Sequence, residues 1–189
     1  MTTPAPSAIY PSLKGRKVLI TGGGSGIGAG LVTGFVRQGA IVHFIDLVDD
    51  VSATLDTGVI GRKPVFHKCD LTDTPLLEKT LAAILADGPV HILLNNAARD
   101  DRHSLAEVTS EFFDANIAVN LKHMAMCTRA IVPGMKAAGG GAILNFGSIS
   151  WHLGLPDLVL YETAKAAIEG FTRALARELG PDNIRVTTI

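Results

Sequence analysis

Along the chain, short apolar runs alternate with longer stretches in which apolar residues recur every three or four positions, which predicts strands and helices in turn. The runs predict strands at residues 16–20, 41–45, 65–69, 90–94, 142–146 and, at the end, 184–189. A helix is expected from Gly26, with Ile27, Leu31 and Phe35 on one stripe and Gly30 and Gly34 beside it, lying very close to a sheet. A second spans 74–86, with Pro75 in its first turn and Leu77, Leu81, Ile84 and Leu85 facing in. A third begins near Ser110 and from 116 to 135 is apolar almost all round: Ile117, Leu121, Met124 and Ile131 on one side, Ala118, Met126 and Ala130 on another. Two apolar faces ask for two partners, the sheet and either the rest of the monomer or a second subunit. Pro133 is expected to bend or end this helix. The last, 157–179, turns Ala164, Ile168, Phe171 and Leu175 inward, while 49–62 has weak periodicity and predicts a short helix and turn. Strands each followed by a crossover helix imply an α/β protein: a doubly wound parallel sheet in three layers, α/β/α.

Composition narrows the field. Lysine and arginine number 17 against 18 acidic residues, a net charge of −1 with no basic run, which argues against nucleic acid as a partner. The longest apolar runs fall short of the ~18–20 residues of a membrane span, and the N-terminus lacks a signal-peptide layout, so a cytoplasmic protein is expected. Cys69 and Cys127 lack CxxC spacing and fit buried free thiols in a reducing compartment. Six histidines without ligand spacing give no metal site. Residues 1–12, broken by Pro4, Pro6 and Pro11, are expected to form a loose arm before a single domain at 13–189.

The first strand runs directly into Thr21-Gly22-Gly23-Gly24-Ser25-Gly26-Ile27-Gly28 and then a helix. Glycines let backbone N–H groups approach a pyrophosphate, and a helix N-terminus attracts its charge; the alternative is a flexible turn. The strand-to-helix context is that of the dinucleotide fingerprint of Rossmann-like folds, although the spacing here is TGxxxGxG. Asp46 ends the second strand, where an acidic side chain holds the adenosine ribose and repels a 2′-phosphate, so NAD is favoured over NADP; the alternative is a turn-capping aspartate. Leu47 and Val48 offer no arginine to a phosphate. Asp70 and Leu71 follow the third strand, where adenine would lie, and Asn96, Ala97 and Ala98 leave the end of the fourth.

Ser148 follows the fifth strand, and Tyr161 and Lys165 stand four apart on the last helix, with Cβ atoms roughly 5–6 Å apart on one face. A lysine charge about 5 Å from a phenol favours the phenolate by about 3 kcal/mol at an effective dielectric near 20. Such a pair is an acid/base device, but the spacing by itself also fits an ordinary pair on a solvated face.

Taken together, Thr21-Gly22-xxx-Gly26-Ile27-Gly28, Asp70, Asn95-Asn96-Ala97, Asn120, Ser148 and Tyr161-xxx-Lys165 resemble the short-chain dehydrogenase/reductase family in order and spacing, from Lys14 to the end of the chain. The resemblance implies Tyr161 as acid/base, Lys165 as the charge beside it and the holder of the nicotinamide ribose, and Ser148 as the group that orients the reacting oxygen. Asn120 would position a water linking the lysine to solvent. It further implies that Thr21, Gly22, Ser25, Gly26, Ile27, Gly28, Asp46, Asp70, Leu71, Asn96, Ala97, Ala98, Tyr161 and Lys165 hold NAD. Candidates to line the substrate pocket are Ser148, Tyr161, Trp151, His152, Arg99 and His103, with Asp100, Asp101 and Arg102 beside them. Glu162 is expected to be solvated or at an interface. The text around Ser148 and Tyr161 is most similar to the branch that oxidises an aldopentose such as D-xylose to its lactone, in homo-oligomers (dimer or tetramer). A short-chain ketone or 3-oxoacyl reductase and an inactive dinucleotide-binding fragment are the other expectations. Two features depart from the family: Ala98 stands where glycine is usual, and the family's closing strand and substrate cover would lie beyond Ile189, so the domain is expected to be C-terminally incomplete.

Overall fold

The computed structural model describes residues 8–49 and 63–189. It contains a six-stranded, wholly parallel sheet in the order β3-β2-β1-β4-β5-β6. In chain order the elements are β1 (Lys17–Thr21), α1 (Gly26–Arg37), β2 (Ile41–Asp46), β3 (Val65–Lys68), α2 (Thr74–Leu85), β4 (Ile92–Asn95), α3 (Ser110–Ile117), α4 (His123–Ala137), β5 (Gly141–Asn145), α5 (Ser150–Leu153), α6 (Val159–Leu179) and β6 (Ile184–Thr188). The expected doubly wound α/β/α architecture is present. The predicted helix at 49–62 lies, save Asp49, outside the described residues, as do residues 1–7 of the arm.

The inner strands are apolar on both faces because each face is covered, whereas the edge strands β3 and β6 carry exposed polar residues. On one side Leu19, Ile45, Leu93, Ile143 and Ile184 meet Leu77, Leu81 and Ile84 of α2, Cys127, Ile131 and Met135 of α4, and Leu179 of α6. On the other, Val18, Ile20, Val42, Phe44 and Leu94 meet Val32 and Val36 of α1. Burying one such side chain fully is worth roughly 1.5–3 kcal/mol. At the N-terminal edge of the sheet Lys17 is buried, its Nζ donating to the carbonyls of Ile84 and Gly88, each at 3.0 Å, and pairing with Asp87. One ammonium thus satisfies the end of α2 and ties it to β1.

Three expectations are corrected. In α1 the inward residues are Gly28, Val32 and Val36 with Leu31 and Phe35 at their flank, whereas Ile27 is 69% exposed and Gly30 and Gly34 have nothing near them. The close approach to the sheet is made by Gly28, one residue off the predicted stripe. Pro133 does not end α4, which continues to Ala137. Pro133 and Arg129 both lie on the exposed side, where water can take the carbonyl that a proline leaves unbonded. The described end of the arm is tethered: a 3₁₀ turn at Pro11–Leu13 follows two hydrogen bonds to Gln38, whose Oε1 accepts from the Tyr10 N–H (2.8 Å) and whose Nε2 donates to the Ala8 carbonyl (3.1 Å).

One π turn, Ala118–Lys122, joins α3 to α4. The inserted turn shifts the buried stripe so that Asn116, Asn120 and His123 point inward ahead of Met124, Cys127 and Ile131. The second apolar face is only partly covered: Met126 and Ala130 pack against the core edge.

Two buried histidines make stability depend on pH. Burial pushes His43 down to about 4, helped by its neighbour His67 and the charge of Lys17, with Asp87 opposing. Burial likewise lowers His123 to about 4, with the Val119 carbonyl opposing and the Lys165 charge adding to it. Between these values and the unfolded value near 6.5 the unfolded chain binds protons that the native one does not. Stability is therefore expected to fall as pH drops from 6.5 towards 4, by at most on the order of 3 kcal/mol for each histidine. Urea unfolding at steps between pH 7 and 4.5 checks this; a flat profile would contradict it.

Candidate active site

β1 and β4 are neighbours, yet β1 leads to α1 on one face and β4 leads towards the helices on the other. Their C-terminal ends part and leave a crevice, the place where open α/β sheets bind ligands. It forms a cleft of about 470 Å³ lined by Gly22, Ser25–Gly28, Asp46, Leu47, Cys69–Thr72, Asn96–Arg99, Ala115 and Val119. A Cβ on Gly28 would overlap the Gly22 carbonyl oxygen, and one on Gly22, at φ +68°, would sit 2.8 Å from the Ala97 Cα. Only glycine lets helix, turn and β4 come this close. Ser25, at the N-cap of α1, makes no side-chain cap, and the first turn carries no acidic residue, so its N–H groups stay available to an anion.

Asp46 shapes the ribose end. Its Oδ2 accepts the Gly24 N–H (2.7 Å), while Oδ1 accepts those of Leu47 (2.7 Å) and Val48 (3.2 Å). A carboxylate has about four acceptor positions, which leaves one for a hydroxyl and a full negative charge against a phosphate. Asp70 turns inward on its own loop, accepting the Thr72 N–H and hydroxyl at 2.8 and 2.7 Å. Thr21, expected to touch the cofactor, is instead fully buried and absent from the cleft lining. Its Oγ1 accepts the N–H groups of Asn96 (3.0 Å) and Ala97 (3.1 Å), so its own hydrogen points to His123 Nε2 at 3.4 Å. Asn96 returns the tie, its Nδ2 donating to the carbonyls of Thr21 and Gly22, each at 3.0 Å.

The second half of the site gathers at the end of β5. Lys165, 2% exposed, donates through Nζ to the Phe146 carbonyl at 2.6 Å and lies 5.4 Å from the centre of the Tyr161 ring. Burial pushes its ammonium down to about 8. Beyond Phe146, Ser148 Oγ accepts the Ser150 N–H at 3.1 Å and shares a 2.8 Å hydrogen bond with the Ser150 hydroxyl. Asn95 Nδ2 donates to Asn145 Oδ1 (2.8 Å), and Asn145 Nδ2 to Thr172 Oγ1 (3.0 Å), locking β4, β5 and α6 together beneath these groups. Asn120 is buried on the π turn; its Oδ1 accepts the Arg99 N–H (2.9 Å), and its Nδ2 donates to the Arg99 carbonyl (3.0 Å) and Asn116 Oδ1 (3.1 Å). That amide braces the main chain beside the cleft.

The expected substrate residues divide. Trp151 and His152 lie on α5, a short helix where the sequence suggested only loop, with rings stacked 3.6 Å apart and His152 Nε2 3.8 Å from the Glu169 carboxylate. Arg99 pairs with Asp101 at 2.6 Å and borders the nucleotide cleft. His103 is not a lining residue: it is 5% exposed and occupied by main-chain partners. Glu162, expected in solvent or at an interface, accepts the Leu155 N–H through Oε1 at 2.9 Å and braces the loop before α6. Sequence reasoning missed Ser150, His123 and the Asn95-Asn145-Thr172 chain. A polar residue closing each of β1, β4 and β5 was the available signal.

Residues 16–189 match the family model described as short chain dehydrogenase. The chain belongs to the short-chain dehydrogenase family. Among relatives, the D-xylose 1-dehydrogenase of Caulobacter vibrioides is 61% identical over 185 residues, covering 97% of this chain and 73% of that protein. A probable galactose dehydrogenase of Rhizobium meliloti is 46% identical over 188 residues, 97% of this chain and 73% of its own length. Among solved family folds, an NADH-dependent reductase complexed with NAD superposes with a TM-score of 0.87 at 28% identity, covering 94% of this chain and 78% of the other.

Asp46 both charges the ribose end and holds the glycine turn, so its charge has to be removed without emptying its place. Asp46→Asn together with Leu47→Arg is expected to shift the NAD:NADP ratio of kcat/KM towards NADP by roughly two orders of magnitude, as ~3 kcal/mol of charge contact changes sign. Steady-state kinetics with both cofactors checks it; an unchanged ratio would show that Asp46 does not set the preference.

Proposed function

We propose that the chain is an NAD-dependent sugar dehydrogenase that oxidises C1 of an aldopentose such as D-xylose to the aldonolactone. The observation that carries this is the buried Lys165 beside the Tyr161 ring at the end of β5, in a chain 61% identical to a D-xylose 1-dehydrogenase. The glycine cradle, with no room for a Cβ at Gly28, and the carboxylate of Asp46 fit a dinucleotide with a free ribose. Gly22, Ser25–Gly28, Asp46, Leu71 and Asn96–Ala98 would hold it. Bound NAD supplies the acceptor for the hydride leaving C1.

The rest is done by the protein's own groups. Tyr161 takes the proton of the anomeric hydroxyl, with the Lys165 ammonium 5.4 Å from the centre of its ring. Ser148 Oγ accepts the Ser150 N–H and gives its own hydrogen to the Ser150 hydroxyl, so a substrate oxygen at the site would take that hydrogen over from Ser150. Trp151 offers a ring face to a sugar at the mouth of the site. The protein is read as cytoplasmic, supported by two buried free cysteines, and as a homo-oligomer, supported by the partly covered second face of the α3–α4 helix and by Phe113, exposed on α3.

Incubation with D-xylose and NAD should raise the absorbance at 340 nm, with little signal from NADP or on reversing the reaction with a 3-oxoacyl thioester. Turnover of the thioester without turnover of the sugar would favour the reductase reading. Tyr161→Phe should leave NADH binding near its starting value and lower kcat by roughly 10²–10⁴-fold, the usual reach of a lost acid/base. Retained turnover would mean that another base acts.

A further inference from the structure

The helix that carries Tyr161 and Lys165 has no cap of its own. Leu158, at its N-cap position, makes no side-chain bond, and Asp157 before it is left-handed at φ 64°. The first bond within the helix runs from the Glu162 N–H to the Leu158 carbonyl at 2.8 Å, so the N–H groups of Val159, Leu160 and Tyr161 have no partner inside α6. One of them is taken by a side chain 57 residues away: the Leu160 N–H donates to His103 Nε2 at 3.4 Å. The same residue holds the turn before the helix, its main-chain N–H donating to the Asp157 carbonyl at 2.9 Å. His103 therefore grips both sides of an irregular helix start.

The ring has one way to do this. Nδ1 lies 2.8 Å from the Asp101 carbonyl oxygen, which can only accept, so Nδ1 carries the hydrogen. Nε2 faces an N–H, which can only donate, so Nε2 is bare. The ring is 5% exposed and meets the edge of Phe112 with centroids 4.9 Å apart, which fixes its plane. The neighbouring acids are spoken for: Glu107 accepts the Ser104 N–H and hydroxyl, and Asp101 pairs with Arg99. Arg102 donates to the Pro156 carbonyl at 3.4 Å, adding a second tie between the same two loops.

We infer that His103 is a positioning residue for Tyr161, acting as the detached N-cap of α6 through a bare Nε2 on the Leu160 N–H. Tyr161 is the next residue in the chain, and Lys165 one turn on is pinned to the Phe146 carbonyl. The phenol is thus placed between the His103 grip at the helix start and the lysine anchor beyond it. The two bonds by which His103 grips the helix start, to the Leu160 N–H and the Asp157 carbonyl, involve no residue of the cleft lining, so loosening them touches proton transfer and leaves cofactor affinity alone.

The inference rests on Tyr161 as the acid/base, which Tyr161→Phe tests separately. Three variants decide the rest. Gln at position 103 can place an acceptor where Nε2 stands, Asn can replace only Nδ1, and Phe keeps the ring without either nitrogen. His103→Gln is expected to keep kcat within about threefold. His103→Asn and His103→Phe should each lose about tenfold or more, with NADH affinity unchanged in all three, because small misplacements of a reacting group carry penalties of that size. Equal rates across the three, or NADH affinity falling in step with kcat, would overturn it. The unaltered protein gives a reading independent of any variant and of the reaction: nitrogen NMR of labelled histidine should show His103 with its hydrogen on Nδ1, and a hydrogen on Nε2 would overturn the cap.

Discussion

An ammonium removed from water dictates the catalytic end of this molecule. Desolvating such an ion costs several kcal/mol, and among the described residues no carboxylate pairs with Lys165 to offset it. What it has is one carbonyl, that of Phe146, held in place because Asn145 next to it is tied to Asn95 and to Thr172 of α6 itself. The helix that carries the lysine and the strand that supplies its acceptor therefore cannot drift apart. A second positive charge nearby would be intolerable, and His123 is neutral for the same reason that Lys165 is strained: both are buried. Its bare Nε2 then receives the Thr21 hydroxyl, so the neutrality of one half of the site holds the strand ends of the other.

The nucleotide end works by the opposite means. There the structure removes atoms: Gly28 against the Gly22 carbonyl, and Gly22 against Ala97, bring backbone where side chains would forbid it. Charge enters at the rim through Asp46, and that carboxylate is oriented by three main-chain N–H groups before any ligand arrives. Such preorganisation spares a ligand the cost of ordering the site.

The sequence showed the architecture because the inner strands are short apolar runs and most of the crossovers, 49–62 excepted, have a clear helical period. It failed where one residue changes the phase. The π turn at Ala118–Lys122 adds a residue to a helical turn, and no periodicity count registers that until the buried side chains are seen. Gly28 was legible as part of a motif but not as the contact residue of α1, since a glycine contributes nothing to an apolar stripe. Thr21 was assigned to the cofactor through the family resemblance and His103 to the substrate pocket as a candidate lining residue. Both face inward, because buried main-chain donors and acceptors needed partners that no apolar residue could supply. Asp46, Ser148, Tyr161 and Lys165 were singled out by the joint order of several motifs along the chain, since the spacing of any one of them also fits an ordinary surface arrangement.

The two loops flanking the catalytic helix have a consequence for how such an enzyme can change. Residues 101–104 and 154–158 are bonded to one another and to the first turn of α6, through Arg102, His103 and Glu162, and make none of the bonds that hold the glycine turn. Insertions or exchanges in either loop are felt first by the Tyr161 phenol and by any substrate lying against it. The glycine-turn half can be inherited unaltered while the other half drifts, which makes the chain a place where lineages can exchange one substrate for another without having to reinvent the redox partner.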